Sequence, residues 1–416
     1  MLVKLPFVTF VSSTIATALV AGGAPAAARA QAPGDSLART DTVAPGIVHR
    51  TWRRTEGPLE FHVLRIELAA GPWTVVARHA GDAIRGREPV SAMATRLAAT
   101  REVVAALNAD FFHIDTAAAE RAKLGEVENN FVVDGTPWRA VPAPSGWHTP
   151  ALRQRGQFAL AADGPRIGRF VYRGRVRAGR SEFRLDGLNG IPKPADALVT
   201  FDGRWGSTPV ADRRQPAPRE ATVRGVRLVG YGGAGGARLD SIVRASRRRW
   251  WPDRRPRVTH AFALDSAADA PPLVPWTLVG GWPLLLRAGR DVTDEAIPIE
   301  GHFPAFMNAR APRSVVGTSE GGRVLWFATV GGANPRQRRG TTPAEFAAFL
   351  RGLGVEEALN LDGGGSTTLW LRGQVVNQPS DATGERPVGN ALFVVRGRPW
   401  EAPPGAAPPA PPPPTR

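Results

Sequence analysis

Short apolar runs with strand-like spacing recur along most of the chain. Examples are FHVLRIEL, WTVVARHA, EVVAALNADFF, NFVVDGTPW, QFALAADG, ALVTFDG, VRLVGYGG, VTHAFAL and RVLWFATVGG. Glycine, proline and aspartate separate these runs at short intervals, as expected for strands joined by tight turns. The pattern predicts an α+β fold, with a sheet-rich mixed β-sheet core and a few flanking helices in a single globular domain.

Two segments have helical spacing instead. TPAEFAAFLRGLG begins with Thr342 as N-cap, Pro343 at the first helical position and Glu345 to complete a capping box. Its apolar positions then repeat at helical spacing, at Phe346, Phe349, Leu350 and Leu353. PVSAMATRLAATRE is a second, less amphipathic candidate helix.

Both predicted helices lead through a short turn into a strand that ends in Leu-Asn-x-Asp. The pairs are Asn108 with Asp110 and Asn360 with Asp362. Because side chains alternate along a strand, each Asn and Asp pair lies on one face of its sheet. We hypothesise that two similar units bring their strand ends to one site. The alternative is coincidence, since Ala-Leu-Asn is a common string in an alanine-rich chain.

The chain ends differ from this pattern. Residues 1–30 have the features of a signal peptide, with Lys4, a long apolar-to-neutral stretch and the small-x-small sequence ARA before Gln31. A membrane anchor is the alternative for this stretch. No later segment reaches the roughly 20 apolar residues that a spanning helix needs. The rest divides into a flexible leader, a folded catalytic domain and a disordered proline-rich tail, residues 31–44, 45–398 and 399–416.

Composition narrows the function classes. The chain has no cysteine, which excludes thiol catalysis, disulfides and cysteine–zinc sites. The net charge of +16 comes almost entirely from arginine, alongside abundant alanine, glycine and proline. This bias is typical of GC-rich coding, and the basic runs are short, so the charge does not predict nucleic-acid binding. An acidic envelope surface or an anionic substrate fits the charge better.

The sequence NLDGGGSTT carries the strongest candidate chemistry. Three glycines permit positive φ and leave N–H groups unobstructed, so Gly363, Gly364 and Gly365 can form an anion-binding nest beside Asp362. Ser366 and Thr367 add hydroxyl groups. The sequence lacks the lysine of a phosphate-binding P-loop and the second glycine of a nucleophile elbow. A purely structural tight turn is the alternative.

Arginines offer further anion contacts. After the predicted hairpin TTLWLRGQVV, Asn377 opens a loop whose polar residues are Ser380, Asp381, Glu385 and Arg386. Arg386 could face a phosphate, while a solvated polar loop is the alternative reading. Arg310 and Arg313 precede another apolar strand and form a second candidate clamp.

Metal binding is only weakly indicated. The seven histidines are scattered and form no H-x-H or H-E-x-x-H motif, which argues against a histidine-built zinc site. Only His113 follows a candidate strand end. No cofactor is certain, although Asp110 or Asp362 is compatible with oxygen-ligated Ca²⁺ or Mg²⁺.

The motifs resemble those of the phosphodiester glycosidase family, which includes bacterial envelope proteins linked to exopolysaccharide. The strongest match is LNLDGGGSTTLWLRGQVVNQPSD followed by ERPVGNALFV, and AALNADFF, LVGGWPLLLRAG, APRSVVGTS and the Thr-Pro-Ala-Glu-Phe helix are similar too. The resemblance spans roughly Pro45 to Arg396. It implies hydrolysis of a sugar-1-phosphodiester at the sugar C1–O bond. The signal-peptide features of residues 1–30 predict that the protein is secreted or periplasmic.

The resemblance also implies a set of site residues. The implied catalytic residues are Asp362, Asp110 and Asn108. Those implied to bind substrate or phosphate, with Gly365 added from the turn itself, are Arg313, Gly363, Gly364, Ser366, Thr367, Asn377, Arg386 and Asn390. Two other classes stay open: a non-catalytic protein of exopolysaccharide biosynthesis or binding, and a phosphodiesterase that cleaves at phosphorus.

One family motif is missing. Where the family commonly has Asp-Gly-Arg after the strand VLWFATV, this chain has Gly331, Gly332 and Ala333. If that aspartate or arginine shapes the substrate pocket, the specificity or the activity of this chain differs from that of the family.

Overall fold

The structure is a computed structural model. It describes residues 34–114, 123–141, 154–191, 196–206, 216–223, 225–247, 256–265, 274–301, 303–333 and 339–397. The signal peptide predicted at residues 1–30 and the tail predicted at residues 399–416 lie outside the described residues.

Two sheets carry most of the candidate site residues. The larger has eight strands in the order β1 (Asp35–Ala44), β2 (Ile47–Arg54), β3 (Leu59–Glu67), β23 (Val324–Gly332), β22 (Arg313–Ser319), β24 (Glu357–Asn360), β20 (Leu284–Arg287) and β21 (Arg290–Asp291). The smaller has five in the order β26 (Gln374–Val375), β25 (Leu369–Leu371), β5 (Val103–Asn108), β27 (Asn390–Arg396) and β4 (Trp73–His79). The two sheets share one hydrophobic core.

Four further sheets flank these two. A five-stranded sheet has the order β7 (Thr136–Arg139), β6 (Phe131–Val133), β19 (Thr277–Gly280), β8 (Gln157–Ala161) and β9 (Gly164–Gly168). A four-stranded sheet has the order β13 (Gly187–Leu188), β14 (Leu198–Phe201), β16 (Val226–Gly230) and β15 (Arg219–Val223). The smallest sheets are β12 (Ser181–Leu185), β11 (Gly174–Ala178) and β17 (Arg257–Thr259), and the pair β10 (Phe170–Tyr172) and β18 (Phe262–Leu264).

Five α-helices pack on these sheets in the described part of the chain. They are α1 (Val90–Ala98), α2 (Gly232–Arg247), α3 (Thr293–Glu300), α4 (Pro304–Asn308) and α5 (Pro343–Gly352). The capping box of α5 forms as predicted, with Thr342 accepting from the Glu345 N–H and Glu345 accepting from the Thr342 N–H. Within the described ranges, no helix is both long and apolar enough to cross a membrane.

The two predicted helix–turn–strand units are present and share one topology. In the smaller sheet, β4 leads through α1 to β5, and β27 lies between the two strands, antiparallel to both. In the larger sheet, β23 leads through α5 to β24, and β22 lies between them in the same way. An antiparallel strand begins where its neighbours end, so β22 and β27 both start beside an Asn-x-Asp strand end.

The structure corrects three expectations. The flexible leader predicted for residues 31–44 is wrong for Asp35–Ala44, which pairs along β2 and buries Val43 and Ala44 in the core. The mixed core sheet is also wrong: in both large sheets every described pair is antiparallel, and only β13 with β14 is parallel. α2 escaped prediction because its first turns are GGAGG, which has low helical propensity.

Candidate active site

The two Asn-x-Asp strand ends meet, as hypothesised. The backbone N–H of Asp362 donates a 2.9 Å hydrogen bond to the carbonyl oxygen of Ala109. In return, Asn108 Nδ2 donates a 2.7 Å bond to the carbonyl oxygen of Asp362. The ends of β5 and β24 are therefore joined directly, and Asp110 and Asp362 lie in one region.

Asn108 holds this junction together. Its Oδ1 accepts a 2.6 Å bond from Ser314 Oγ and a 3.0 Å bond from the Thr368 N–H, and the side chain is fully buried. One amide thus connects β5, β22, β24 and the segment before β25. These bonds give Asn108 a positioning role, in contrast to the catalytic role implied by its motif position.

Asp362 is the more accessible of the two carboxyl groups. It is partly exposed, and its Oδ1 accepts a 2.8 Å bond from the N–H of Gly363. Burial of the carboxylate raises the pKa of Asp362 to about 6, against the opposing effects of Ser366, the Gly363 N–H and the Arg386 charge. A carboxyl group with this pKa is largely ionised at neutral pH and can accept a proton.

Asp110 lies deeper in the protein. It is 1% exposed, and its two oxygens accept bonds of 2.6 Å and 3.1 Å from the side chain and the N–H of Asn129. Burial raises the pKa of Asp110 to about 7 even though these bonds favour the ionised form. Asn390 fixes the backbone here, since its Oδ1 accepts a 2.9 Å bond from the Asp110 N–H.

Glu128 is a third carboxyl group near the site, and no sequence pattern predicted it. Its negative charge raises the pKa of both Asp110 and Asp362. Its Oε2 accepts a 2.5 Å bond from Nη1 of the buried Arg155. No strand end or motif marked Glu128, which lies in a loop; its position next to the pair Asn129-Asn130 was the only available signal.

Arg313 is a buried cation without a carboxylate partner. It is 1% exposed, and no described acidic side chain forms an ion pair with it. Its Nε donates to the Thr341 carbonyl, and its Nη2 donates to the carbonyls of Phe306 and Ala309 at 2.9 and 2.7 Å. Burial lowers the pKa of Arg313 to about 10, opposed by the Asp362 charge.

The Nη1 of Arg313 is buried and has no hydrogen-bond partner among the described residues. A buried guanidinium with an unused donor is costly unless an anion approaches it. The role of Arg313 as an anion clamp stays a prediction, and the unused Nη1 donor is compatible with it. Arg310, its sequence neighbour in the same prediction, is exposed and pairs with Glu345.

Each glycine of the GGG turn is required for a different reason. A Cβ atom on Gly363 would lie 2.6 Å from the Pro312 carbonyl oxygen. Gly364 has a φ of +60°, which disfavours other residues. A Cβ atom on Gly365 would lie 2.2 Å from Arg386 Nη2 and 2.4 Å from Asp381 Oδ1.

The anion-binding nest predicted for this turn is largely absent. The N–H of Gly363 donates to Asp362, and that of Gly364 donates a 2.8 Å bond to the Pro312 carbonyl. These two donors are occupied within the protein. The turn instead orients the Asp362 carboxylate and lets the loop that carries Arg386 approach closely.

Polar groups without protein partners surround the turn. The hydroxyl oxygens of Thr367 and Thr368 and the Nδ2 of Asn390 are buried and make no hydrogen bond with a described residue. Buried polar atoms are rarely left unpaired in native proteins, so such a group indicates a ligand or ordered water. The substrate-binding roles of Thr367 and Asn390 stay predictions, and their unpartnered polar atoms are compatible with them.

The loop after the hairpin is held by its own contacts. Asn377 accepts from the Leu369 N–H and donates to the Thr367 carbonyl, which uses both ends of its amide. Arg386 forms a bidentate ion pair with Asp381, at 2.7 and 3.0 Å. Glu385 accepts from the Ser91 N–H and hydroxyl at the start of α1. Both ends of the Asn377 amide thus hold the loop in place. The positive charge of Arg386 lies near the site and is paired with Asp381.

An aromatic cluster borders the site. The ring of Phe306 lies 4.9 Å from that of Trp282 and 5.9 Å from that of Phe111, measured between centroids. The Arg313 guanidinium stacks over Phe306 at 4.1 Å. Phe306 is partly exposed, and Phe111 directly follows Asp110. This cluster gives the site an apolar face next to its charged groups.

The residues do not fit a Ca²⁺ or Mg²⁺ site. In the described part of the chain, no group of three or more His, Cys, Asp or Glu side chains is arranged to hold a metal ion. Asp110 is engaged by Asn129, and Glu128 is engaged by Arg155. A hard cation needs about six oxygen ligands, so the metal considered for Asp110 or Asp362 has no support here.

The missing Asp-Gly-Arg motif leaves open space. Gly331 pairs with Glu60 at the end of β23, and a Cβ atom there would meet only the Gln378 carbonyl, at 4.0 Å. Gln378 follows Asn377 in the loop beside the site. A side chain at position 331 would have room here, and this chain supplies none.

Comparison with known families matches the C-terminal part of the chain. Residues 235–395 match a family model described as phosphodiester glycosidase. N-acetylglucosamine-1-phosphodiester alpha-N-acetylglucosaminidase of Mus musculus is 36% identical over 111 residues, and the Homo sapiens protein is 33% identical over 111 residues. Each match covers 25% of this chain and 21% of the relative. The match thus spans about a fifth of the length of these relatives.

Solved structures resemble more of the chain. A hypothetical protein from Synechocystis has a TM-score of 0.62 at 20% identity, covering 87% of this chain and 64% of its own. A candidate exported protein from Burkholderia pseudomallei K96243 has a TM-score of 0.62 at 23% identity, covering 82% and 74%. At these identities the likeness concerns the fold alone.

Proposed function

We propose that the protein hydrolyses a sugar-1-phosphodiester, as the match of residues 235–395 to the phosphodiester glycosidase family model suggests. Water replaces the phosphate at the sugar C1, the C1–O bond breaks, and the products are a free sugar and a phosphomonoester. The family match covers Arg313 and Asp362 but not Asp110, which the fold brings to them.

The observation that carries this proposal is the arrangement of Arg313 and Asp362. A buried guanidinium with an unused donor lies near a partly exposed carboxyl group whose pKa burial raises to about 6. A phosphodiester has an anionic oxygen that can accept a hydrogen bond from Arg313. It also has an adjacent sugar carbon that water can attack with the assistance of Asp362. A neutral glycoside would leave the buried charge of Arg313 uncompensated.

In the proposed mechanism Asp362 accepts a proton from the attacking water. Ionised Asp362 also stabilises the positive charge that develops on the sugar ring in an oxocarbenium-like transition state. The departing phosphate gains negative charge, and Arg313 stabilises it. Phosphate is a good leaving group, so the reaction depends less on a strong general acid than ordinary glycoside cleavage does.

Asp110 and the neighbouring amides organise the site. Asp110 is buried and therefore less accessible to water than Asp362, so we assign it a positioning and electrostatic role. Asn390 Nδ2, Thr367 and Thr368 supply donors for oxygen atoms of the substrate. The aromatic cluster around Phe306 gives a sugar ring an apolar surface, as sugar-binding sites commonly do.

Isotope labelling tests the bond that breaks. Hydrolysis in ¹⁸O-water, after a screen of several sugar-1-phosphodiesters, should place the label in the sugar, as seen by mass spectrometry. Label in the phosphomonoester would contradict the proposal and identify a phosphodiesterase that cleaves at phosphorus. No turnover of any substrate would contradict it in favour of a non-catalytic glycan-binding protein.

Asp362→Asn tests the residue assignment. The variant keeps the size of the side chain but cannot accept the proton, so kcat should fall by about 10³-fold or more. Asp163→Asn, at an exposed turn, is the matched control and should retain activity. Circular dichroism should be unchanged for both. A wild-type rate in Asp362→Asn would refute the role of Asp362.

We further propose that the protein acts on envelope or extracellular glycans in the periplasm or outside the cell. The signal-peptide pattern of residues 1–30 supports this placement. N-terminal sequencing of the protein recovered from its native host should begin at Gln31. A cytoplasmic protein that retains Met1 would contradict this location without affecting the reaction.

A further inference from the structure

A three-stranded sheet that shares no residue with the candidate active site concentrates arginine on its exposed face. β11 is its central strand, with β12 on one side and β17 on the other. Along β11 the side chains alternate: Val176 and Ala178 are buried in a hydrophobic core, while Arg175 and Arg177 are exposed. The alternation places both arginines on the outer face.

The register of this sheet sets like charges opposite each other. Arg175 lies directly opposite Arg184 on β12, and Arg177 lies directly opposite Arg257 on β17. We call these four residues the arginine face. Like charges at directly opposite positions destabilise a sheet, so folding alone gives no reason for two such pairs. Glu182 of β12 lies opposite Arg177 on the other side of β11 and offsets part of this repulsion.

Nearby carboxylates offset only part of this charge. Glu182 pairs with Arg175. Asp186 lies 3.2 Å from Arg184 Nε, but it also pairs with Arg238 of α2 at 2.6 Å. No described carboxylate forms an ion pair with Arg177. The face therefore keeps a net positive charge in the protein as it stands.

A cavity adjoins the arginine face. Its lining residues combine aromatic rings with guanidinium groups: Tyr172, Arg173, Gly174, Arg175, Glu182, Phe183 and Arg184. The Tyr172 hydroxyl forms a 2.5 Å hydrogen bond with His260 Nδ1. Gly174 permits this arrangement, since a Cβ atom there would lie 2.2 Å from the Tyr172 hydroxyl oxygen. Aromatic and guanidinium groups together suit a sugar ring that carries a negative charge.

We propose that the arginine face and its cavity bind a polyanionic glycan and retain a polymeric substrate on the protein. The class of ligand rests on the proposed function, because a glycan joined through phosphodiesters carries a negative charge at each linkage. The observations disfavour a lipid surface, since the exposed large hydrophobic residues in the described part of the chain are Leu37, Ile114 and Val274, all outside this sheet.

The test is binding of full-length protein to phosphorylated dextran, with neutral dextran of the same length for comparison. Arg177→Gln/Arg257→Gln removes one cross-strand pair, and we expect the Kd for phosphorylated dextran to rise at least tenfold. Arg87→Gln/Arg351→Gln removes two exposed arginines elsewhere and is the control for net charge. Its Kd should change less than twofold. Thermal unfolding and circular dichroism of both variants check that each one remains folded.

Equal loss of binding in both variants would overturn the proposal, because the loss would then result from the change in net charge alone. Binding of neutral dextran would overturn it as well. Tighter binding of an oligonucleotide or of anionic phospholipid vesicles, lost in Arg177→Gln/Arg257→Gln, would assign the face to another class of partner. The kcat/KM for a small sugar-1-phosphodiester should be unchanged in this variant. Failure of wild type to hydrolyse any such substrate would refute the proposed function. The dextran-binding measurement tests the arginine face independently of that result.

Discussion

Asn108 Nδ2 donates a 2.7 Å hydrogen bond to the carbonyl oxygen of Asp362, a residue 254 positions later in the chain. The bond joins the ends of two strands that belong to different sheets. Because Asn108 is fully buried, the geometry of the junction is fixed by the core. The chemistry assigned to Asp362 therefore depends on side chains that never reach the substrate.

Glu128→Gln should change the pH dependence of the reaction. The negative charge of Glu128 raises the pKa of Asp362, so its removal should lower that pKa. The acidic limb of the kcat/KM profile should then move to lower pH. The measurement is kcat/KM between pH 4 and 8 for wild type, Glu128→Gln and the exposed control Glu356→Gln. A shift to higher pH, or an equal shift in the control, would contradict the assignment.

Arg313→Lys should weaken phosphate recognition. The Arg313 guanidinium donates to three backbone carbonyls and still has Nη1 unused, whereas a lysine ammonium cannot match this geometry. We expect kcat/KM to fall about 10²-fold and inhibition by inorganic phosphate to weaken. Arg310→Lys is the matched control, because Arg310 is exposed and pairs with Glu345. Unchanged phosphate inhibition in Arg313→Lys would exclude Arg313 as the clamp.

Alanine substitutions at two adjacent glycines should differ in effect. Gly364 has positive φ but open space around its Cα, so Gly364→Ala should cost about 1–2 kcal/mol of stability. At Gly365 a Cβ atom would overlap Arg386 and Asp381, so Gly365→Ala should disrupt their ion pair. Thermal unfolding and kcat/KM measure both effects. We expect the larger loss of activity in Gly365→Ala, and equal losses would argue against this account.

Asp110→Asn should alter how stability depends on pH. Burial raises the pKa of Asp110 from 3.8 to about 7, so the folded protein retains a proton that the unfolded chain releases. This contribution is fully present below about pH 4 and is lost as the pH rises through about 7, by roughly 1.4 kcal/mol for each pKa unit.

Urea unfolding at pH 4, 5, 6 and 7 measures this dependence. The stability of wild type should fall relative to that of Asp110→Asn across the series. Asp163→Asn, at an exposed turn, should follow wild type. If the free energies of unfolding of wild type and Asp110→Asn change with pH in the same way, the Asp110 carboxyl group does not titrate as described.

The sequence predicted the parts of the fold that depend on local patterns. The capping box of α5 and the two helix–turn–strand units depend on residues close together in the chain, and the structure contains them. α2 was missed because its glycines serve packing: a Cβ atom on Gly235 would lie 2.2 Å from the Ala197 carbonyl oxygen. Close contact between a helix and a sheet is a tertiary property that propensity does not encode.

The sequence singled out the two candidate carboxyl groups because each lies in a motif at the end of a strand. Asp110 and Asp362 were found in this way. Glu128 and Arg155 were not, because each lies outside any motif and acquires its role only when the chain folds. The glycine turn was identified correctly, but its donors were assigned wrongly, since the Pro312 carbonyl that occupies the Gly364 N–H comes from another segment.

The position of β27 affects how the protein matures. β27 contains some of the last described residues, yet it lies between β5 and β4, which come from the N-terminal third of the chain. Until Asn390 is in place, the N–H of Asp110 lacks its acceptor and two early strands lack a shared neighbour. A chain still being synthesised or exported therefore cannot have a finished site. The candidate site is complete only when the last strand has been inserted.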